Sequence, residues 1–391
     1  MLVGAGKMGR AAGRELLEMT TARLLIYDIA AARADALVEA LVMIKAEWRG
    51  RCTTVDGDAV AAPDSAIDGI LLCVGWPATK AWLERLLDLD ETRCFRGTIV
   101  SIARPNYADL VWLERKAEQC EAAVILPLGL EPGLVELLAG QVRQSIRNIR
   151  CLWTYCGGIP AAPKLPLCHT LFFGDRLATD DRPAWYVRSG VPSQAVRFAD
   201  VQRVVVPGIG LLEAYHDGMM PTTAHDPSFS GLDRFEQRTL RWPGFVERIV
   251  QLKELRFFCD DELRLGNARI TVSDFTHEVL RPLLVTAPTE SDVAIVQIVA
   301  EDDEAARGTI LLRCRGEPEI TGLAQLTATA AVAALCAGST LSGSGWLLPT
   351  AQVLAICVQP IMKRLNELKQ VHLTASGILT HALAGFLEKA A

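Results

Sequence analysis

The glycines of Gly4-Ala5-Gly6-Lys7-Met8-Gly9 constrain this chain more than any other feature of its 391 residues. Three apolar residues, Met1 to Val3, lead into them, and Ala11, Ala12, Leu16 and Leu17 then fall on one side of a helix. At this spacing the first glycine makes a tight turn, the second lets backbone approach a pyrophosphate, and the third lets helix and strand pack closely. The phosphate charge then sits at the helix N-terminus. Such a triplet also occurs as a glycine-rich turn in α/β domains that bind nothing, so its context decides. Here it links a strand to a helix, and Asp28 ends the next strand-like run, Arg23 to Asp28, roughly 20 residues on. An acid there accepts hydrogen bonds from both ribose hydroxyls of NAD and repels the 2′-phosphate of NADP. NAD is therefore the expected cofactor, with NADP disfavoured. Arg33 is either a ligand for a 2′-phosphate or a solvated helix residue.

The first third of the chain alternates short β-rich runs with amphipathic helical runs. Strands are expected at Met1 to Val3, Arg23 to Asp28, Cys52 to Asp56, Gly69 to Val74, Gly97 to Ile102 and Ala122 to Leu128. Helices are expected at Ala31 to Trp48, from near Pro77, and at Tyr107 to Cys120. Six strands with five crossovers make a doubly wound parallel sheet of the α/β class. In such a sheet ligands meet the carboxyl ends of the strands. Cofactor contacts are accordingly expected from Gly4, Gly6, Lys7, Met8, Gly9 and Asp28, and from Asp56, Cys73, Val74 and Gly129 at later strand ends.

From about Cys151 to Arg315 apolar and polar residues alternate, clearly so at Gln202 to Val206, Arg234 to Arg241 and Val293 to Val299, which predicts a mostly antiparallel sheet. The tail from Thr321 reads as helix, clearest at Leu323 to Ala337 and Thr350 to Leu368. Leu323 to Ala337 lacks charge, yet Ala, Thr and Gln dominate it and glycines follow, which fits a buried helix of a soluble protein and not a membrane span. With 22% charged residues and a formal net charge of −6, nucleic acid is not an expected partner. Eleven scattered cysteines without zinc spacing read as reduced thiols in a cytoplasm, and no metal site is expected. A secretory leader is not expected.

Several segments stand beyond the parallel-sheet region: Leu126-Pro127-Leu128-Gly129-Leu130-Glu131-Pro132-Gly133-Leu134, Tyr155-Cys156-Gly157-Gly158-Ile159-Pro160 and Pro166-Leu167-Cys168-His169. Leu212-Glu213-Ala214-Tyr215-His216, Arg238-Thr239-Leu240-Arg241-Trp242-Pro243-Gly244-Phe245 and Ala328-Thr329-Ala330-Ala331 follow. In this order, together with the glycine motif, they resemble the saccharopine dehydrogenase superfamily, and within it the bacterial lysine 6-dehydrogenases. The resemblance spans nearly the whole chain. It implies a Rossmann domain of residues 1–127 completed by helices of 321–391, with an inserted α/β substrate domain, residues 128–320, that also makes a homodimer. It further implies hydride transfer from an amine-bearing carbon of an amino acid.

A protonated amine has no lone pair to assist hydride loss, and a lysine-like amine has a pKa of about 10.4, so some group must manage its proton. Glu131 matches by position the aspartate of the Gly-Leu-Asp-Pro-Gly motif of saccharopine dehydrogenases and is the first catalytic candidate; its alternative role is a carboxylate stabilising a helix N-terminus. His169, where lysine 6-dehydrogenases usually carry tyrosine, is the second, a structural histidine being its alternative. Arg241 would hold a substrate carboxylate in a two-toothed contact, or else form a surface salt bridge. Cys156, Gly157 and Gly158 would line the substrate. Pro127 departs from the acidic residue usual just before the Leu-Gly step. Three readings follow: an NAD-dependent dehydrogenase of lysine or a related diamino acid, an imine reductase joining an amino acid to an oxoacid, and a nucleotide-binding regulator without catalysis.

Overall fold

The computed structural model describes residues 1–56, 67–87, 95–163, 167, 176–177, 179–284, 290–338, 345–349 and 351–382. The chain divides into two compact units, one of Met1–Asn148, Ala324–Val371 and Ile378–Ala391, the other of Ile149–Leu323 and His372–Gly377.

The first unit opens with β1 (Leu2–Val3), α1 (Lys7–Met19), β2 (Leu24–Tyr27), α2 (Ala31–Ile44), β3 (Cys52–Thr54) and β4 (Gly69–Leu72). It continues with α3 (Trp76–Leu87), β5 (Thr98–Ser101), α4 (Leu110–Glu118), β6 (Ala123–Ile125) and α5 (Leu134–Ser145). The strands lie in the order β3-β2-β1-β4-β5-β6, every pair parallel, so the direction of winding reverses between β1 and β4. With right-handed crossovers, that reversal sends the two sets of helices to opposite faces. Val3, Ile70, Leu72, Ile99 and Val124 accordingly pack with Trp76, Leu83 and Leu86 of α3 and Leu113 of α4. On the other face Gly13 of α1 lies over Leu2, Leu24 and Leu41. This is the Rossmann arrangement expected from the glycine motif. Helix α2 stops at Ile44, short of the expected Trp48, because Lys45 turns extended and a 3-10 turn then drops Trp48, 1% exposed, into the core.

The second unit contains β7 (Ile149–Pro160), β8 (Ala184–Arg188), β9 (Val191–Ala195), β10 (Gln202–Val206), β11 (Gly210–His216), α6 (Pro221–Ala224) and β12 (Arg234–Arg241). After these come α7 (Phe245–Glu254), the hairpin β13 (Glu262–Leu265) and β14 (Ala268–Thr271), α8 (Val272–Leu284), β15 (Asp292–Asp302) and β16 (Arg307–Arg315). The main path of its sheet runs β10-β11-β12-β7-β15-β16. Apart from the parallel pair β7–β12, the pairings along this path are antiparallel. Phe245, Val246 and Ile249 of α7 and Leu284 of α8 pack with Tyr215 and Phe198.

The tail differs from expectation. Its helices α9 (Gly322–Gly338) and α10 (Ala351–Glu367) stand where the sequence put them, but two strands accompany them. β17 (Gly345–Leu347) extends the parallel sheet beside β6, and β18 (Val371–Gly377) extends the second sheet beside β16. β17 has three residues, too few to show any period. The boundary near residue 127 also moves, because α5 stays with the first unit, which runs to Asn148.

Candidate functional site

The dinucleotide loop is built by three glycines with three separate tasks. Gly4 has φ +96°, and a Cβ there would meet the Cys73 carbonyl at 2.7 Å and a Val74 methyl at 2.8 Å. Any side chain would thus force apart the turn and the end of β4, which hold the switch point closed. Gly9 packs its Cα on the loop itself: an added Cβ would fall 1.8 Å from the Gly4 carbonyl. Gly6 is the opposite case. A Cβ there meets nothing within 4 Å, so the loop leaves open space at the N-cap of α1. That open position at the N-terminus of α1 fits a pyrophosphate. Lys7 is exposed beside it, whereas the side chain of Met8 is buried in the core and only its backbone faces the first turn.

Asp28, at the end of β2, is half-buried and accepts from the Ala5 amide at 2.8 Å and the Ala30 amide at 2.9 Å. The carboxylate therefore ties the glycine loop to β2, and each oxygen keeps a second lone pair for a ribose hydroxyl. Asp56 is exposed just beyond β3, and Arg33 is exposed on α2. Cys73 and Val74 extend from β4; burial pushes the Cys73 thiol up to about 12, so it lines the loop as a neutral group. An apolar cavity of about 470 Å³ opens at the opposite edge of this sheet, among Met1, Leu16, Leu24, Gly69 and Leu335. It sits at the strand amino ends, away from the glycine loop.

Beyond β6 the chain closes on itself. The Gly129 amide donates to the Pro132 carbonyl at 2.9 Å, and the Leu134 and Val135 amides return to Gly129 and Leu130 at 3.0 Å. A Cβ on Gly129 would press on the Ile102 and Pro132 carbonyls, each at 3.2 Å. Glu131 stands half-buried at the tip of this turn. The acid tied to the amide at the start of α5 is Glu136, fully buried, whose carboxylate accepts from the Gly133 amide at 2.6 Å. Its signal was present in the sequence: an acid three residues after Gly133 is the spacing of a capping box. The Leu126–Pro127 and Glu131–Pro132 bonds are both cis.

In the second unit, β7 brings Cys156 beside Thr239 of β12, and Gly157 lies against the end of β12. A Cβ on Gly157 would meet the Leu240 carbonyl at 2.5 Å and Arg241 Nη1 at 3.1 Å, so glycine is what lets the guanidinium settle there. Gly158 pairs with Ala294 of β15. Arg241 donates from Nη1 to the Leu240 carbonyl at 2.7 Å and lies 5.6 Å from the Phe245 ring centre. Its Nε is buried without a hydrogen-bond partner, and no described carboxylate pairs with it. The surface salt bridge considered for this residue is therefore not what the described residues make. Cys156, Gly157 and Arg241 come together; His169 lies outside the described residues.

Two charge clusters in this unit had no assigned role. Asp217 receives Arg197 through two bonds at 2.7 and 3.1 Å, together with Arg182 and, at 3.4 Å, the Thr239 hydroxyl. Those four bonds fill its acceptor sites, so it anchors the segment carrying Arg182 and Arg197 to the sheet. Glu213, buried beneath α7, accepts from the Gly244 and Val246 amides at 2.9 and 2.7 Å. Isolated acids in a strand run carry no sequence signal for such long-range partners.

A family model described as the saccharopine dehydrogenase C-terminal domain matches residues 129–370. The chain belongs to the saccharopine dehydrogenase superfamily. Among solved structures, the apo saccharopine dehydrogenase (L-Glu forming) of Saccharomyces cerevisiae is 17% identical and aligns over 96% of this chain and 99% of its own, with a TM-score of 0.74. The homospermidine synthase of Legionella pneumophila, solved with NAD, is 9% identical over 96% of this chain and 90% of its own, with a TM-score of 0.59. At these identities the likeness is one of fold. The superfamily fold here is a saccharopine dehydrogenase-like, NAD(P)-binding oxidoreductase fold. Among the described residues no helix is long and apolar enough to cross a membrane.

Proposed function

We propose that this protein is an NAD-dependent dehydrogenase acting at the amine-bearing carbon of lysine or a related diamino acid. The observation that carries the reading is Arg241: a guanidinium without a carboxylate among the described residues, over a glycine that makes room for it, in a chain whose other unit has an open dinucleotide loop. A half-buried cation whose Nε is shielded from water gains from a counter-charge, and a substrate carboxylate would supply one. Gly4, Gly6 and Gly9 would hold the pyrophosphate, with Lys7, Asp56, Val74 and Gly129 around the rest of the cofactor. Asp28 favours NAD over NADP by attracting ribose hydroxyls and repelling a 2′-phosphate. When bound, NAD supplies the hydride acceptor. The protein's own share is to fix the carboxylate at Arg241, to line the amino acid with Cys156 and the Gly157-Gly158 backbone, and to remove the proton of the amine. Glu131 is assigned that proton, with His169 as its partner. A cytoplasmic homodimer belongs to the same reading, and sedimentation checks the assembly.

The test is reduced-nicotinamide absorbance during a screen of amino acids, each with and without oxoacids. Oxidation of a diamino acid by NAD alone is expected. Turnover only in the reverse direction, with an oxoacid present, would establish instead the imine-reductase reading that the superfamily assignment also favours. Arg241→Ala should raise the substrate KM by roughly tenfold or more, the loss of a charged hydrogen bond costing about 1.5 to 3 kcal/mol. NAD affinity should stay unchanged.

A further inference from the structure

Glu213 stands directly opposite Arg241 in the antiparallel ladder of β11 and β12. Side chains at such a pair have Cβ atoms about 5 Å apart, close enough for a carboxylate and a guanidinium to meet. They do not pair. Both Glu213 oxygens are engaged elsewhere, one by the Gly244 amide at 2.9 Å and the other by the Val246 amide at 2.7 Å. Those amides belong to the N-terminus of α7, where backbone N–H groups lack intrahelical partners and the helix dipole favours an anion. Gly244 itself is left-handed, at φ +94°, and serves as the N-cap.

Between these two amides sits Phe245, 4% exposed, stacked on Tyr215 at 6.3 Å and lying beneath the Arg241 guanidinium at 5.6 Å. The carboxylate that would most easily neutralise Arg241 is thus spent on the turn that seats it.

We propose that Glu213 is a positioning residue for the substrate carboxylate: α7 draws it away from Arg241, leaving that cation without a carboxylate among the described residues, and through Gly244 and Val246 it fixes the Phe245 ring against which the guanidinium rests. The proposal rests on the reading of Arg241 given above. It differs from a purely structural cap in predicting that Glu213 affects substrate binding only through Arg241.

The experiment is a double-mutant cycle on Glu213→Ala, Glu213→Gln, Arg241→Ala and Glu213→Ala/Arg241→Ala. Initial rates are taken with L-lysine and NAD, and phenylglyoxal labelling of Arg241, located by peptide mass spectrometry, gives a readout that needs no turnover. E213A is expected to raise the KM for lysine by roughly tenfold, about one broken charged contact, with the KM for NAD within about twofold of wild type. E213Q keeps one acceptor oxygen but turns an NH2 donor toward the other amide, so it should recover only part of that loss. The double mutant should bind lysine no worse than R241A. Labelling of Arg241 should change at least about threefold in E213A and by less in E213Q. Additive effects in the cycle, or E213A labelling Arg241 at the wild-type rate, would overturn the positioning role while leaving Arg241 in place. An unchanged lysine KM in R241A removes the underlying reading instead. If E213A does not fold, the E213Q/R241A cycle decides on the same additivity, and if lysine is not turned over, the labelling comparison decides alone.

Discussion

At the scale of single residues, the glycine loop separates folding from binding. Gly9 and Gly6 lie three residues apart in one motif, yet a methyl group at Gly9 would overlap the Gly4 carbonyl at 1.8 Å while one at Gly6 meets nothing of the protein. Gly9→Ala should therefore destabilise the first unit by about 1 to 3 kcal/mol, the usual cost of an overpacked contact that backbone must relieve. Gly6→Ala should melt near the wild-type temperature and lose affinity for NAD in calorimetry, because its methyl occupies space left for a phosphate. Wild-type NAD affinity in Gly6→Ala would mean that the dinucleotide does not approach the loop there. The three glycines and Asp28 were legible in the sequence because their spacing is local and mechanical. The ties of Asp28 to Ala5 and Ala30 were not, since a carboxylate at a strand end is equally free to face solvent.

At the scale of elements, one buried ion pair joins the start of the chain to its tail. Glu15 of α1 is fully buried and receives Arg364 of α10 through two bonds at 2.9 Å, with the Thr329 hydroxyl of α9 at 3.3 Å. The Glu15 carboxylate holds the Arg364 guanidinium well above its ordinary pKa. Breaking such a pair from one side leaves a charge in a low-dielectric interior, at about 3 to 5 kcal/mol. Glu15→Gln should lower the unfolding free energy, read from denaturant melts, by that amount, whereas Glu15→Met/Arg364→Leu should recover much of it. Wild-type stability in Glu15→Gln would show that the pair contributes little. This contact also explains Thr329 in the Ala328-Thr329-Ala330-Ala331 segment: small residues let α9 pack closely, and the one hydroxyl meets Glu15. Amphipathic patterns placed α1 and α10, and an uncharged small-residue run placed α9, but neither could pair them, because such patterns name a buried face and not its partner.

At the scale of the whole molecule, stability should depend on pH through the second sheet. His216 of β11 is buried, with Nε2 2.9 Å from Arg238 Nη2 and the Tyr186 ring of β8 at 5.2 Å. Arg238 and Glu236 of β12, Arg188 of β8 and the nearby Asp200 are the charged groups around it. Burial, and then Arg238, lower its pKa to about 4, the carboxylates opposing them. The unfolded chain takes up this proton below about pH 6.5, so between about pH 6.5 and 4 the unfolded state binds more protons than the folded one. The contribution of His216 is whole above that window and is lost as pH falls through it, at up to about 1.4 kcal/mol per pH unit. His216→Gln, which keeps an acceptor for Arg238, should flatten this limb of a denaturation-midpoint profile; an unchanged slope would assign the acid sensitivity elsewhere. By itself the sequence determined the parallel sheet, the cofactor loop, the presence of a second, mostly antiparallel sheet and the candidate residues along it, because strand alternation, helical period and glycine spacing are short-range properties. Only the tertiary structure decided that β17 and β18 return from the tail to extend the two sheets, and that Glu213 turns from Arg241 to α7. Each of those outcomes is a choice among partners distant in the chain, set by which buried polar groups remain unsatisfied once the layers have packed.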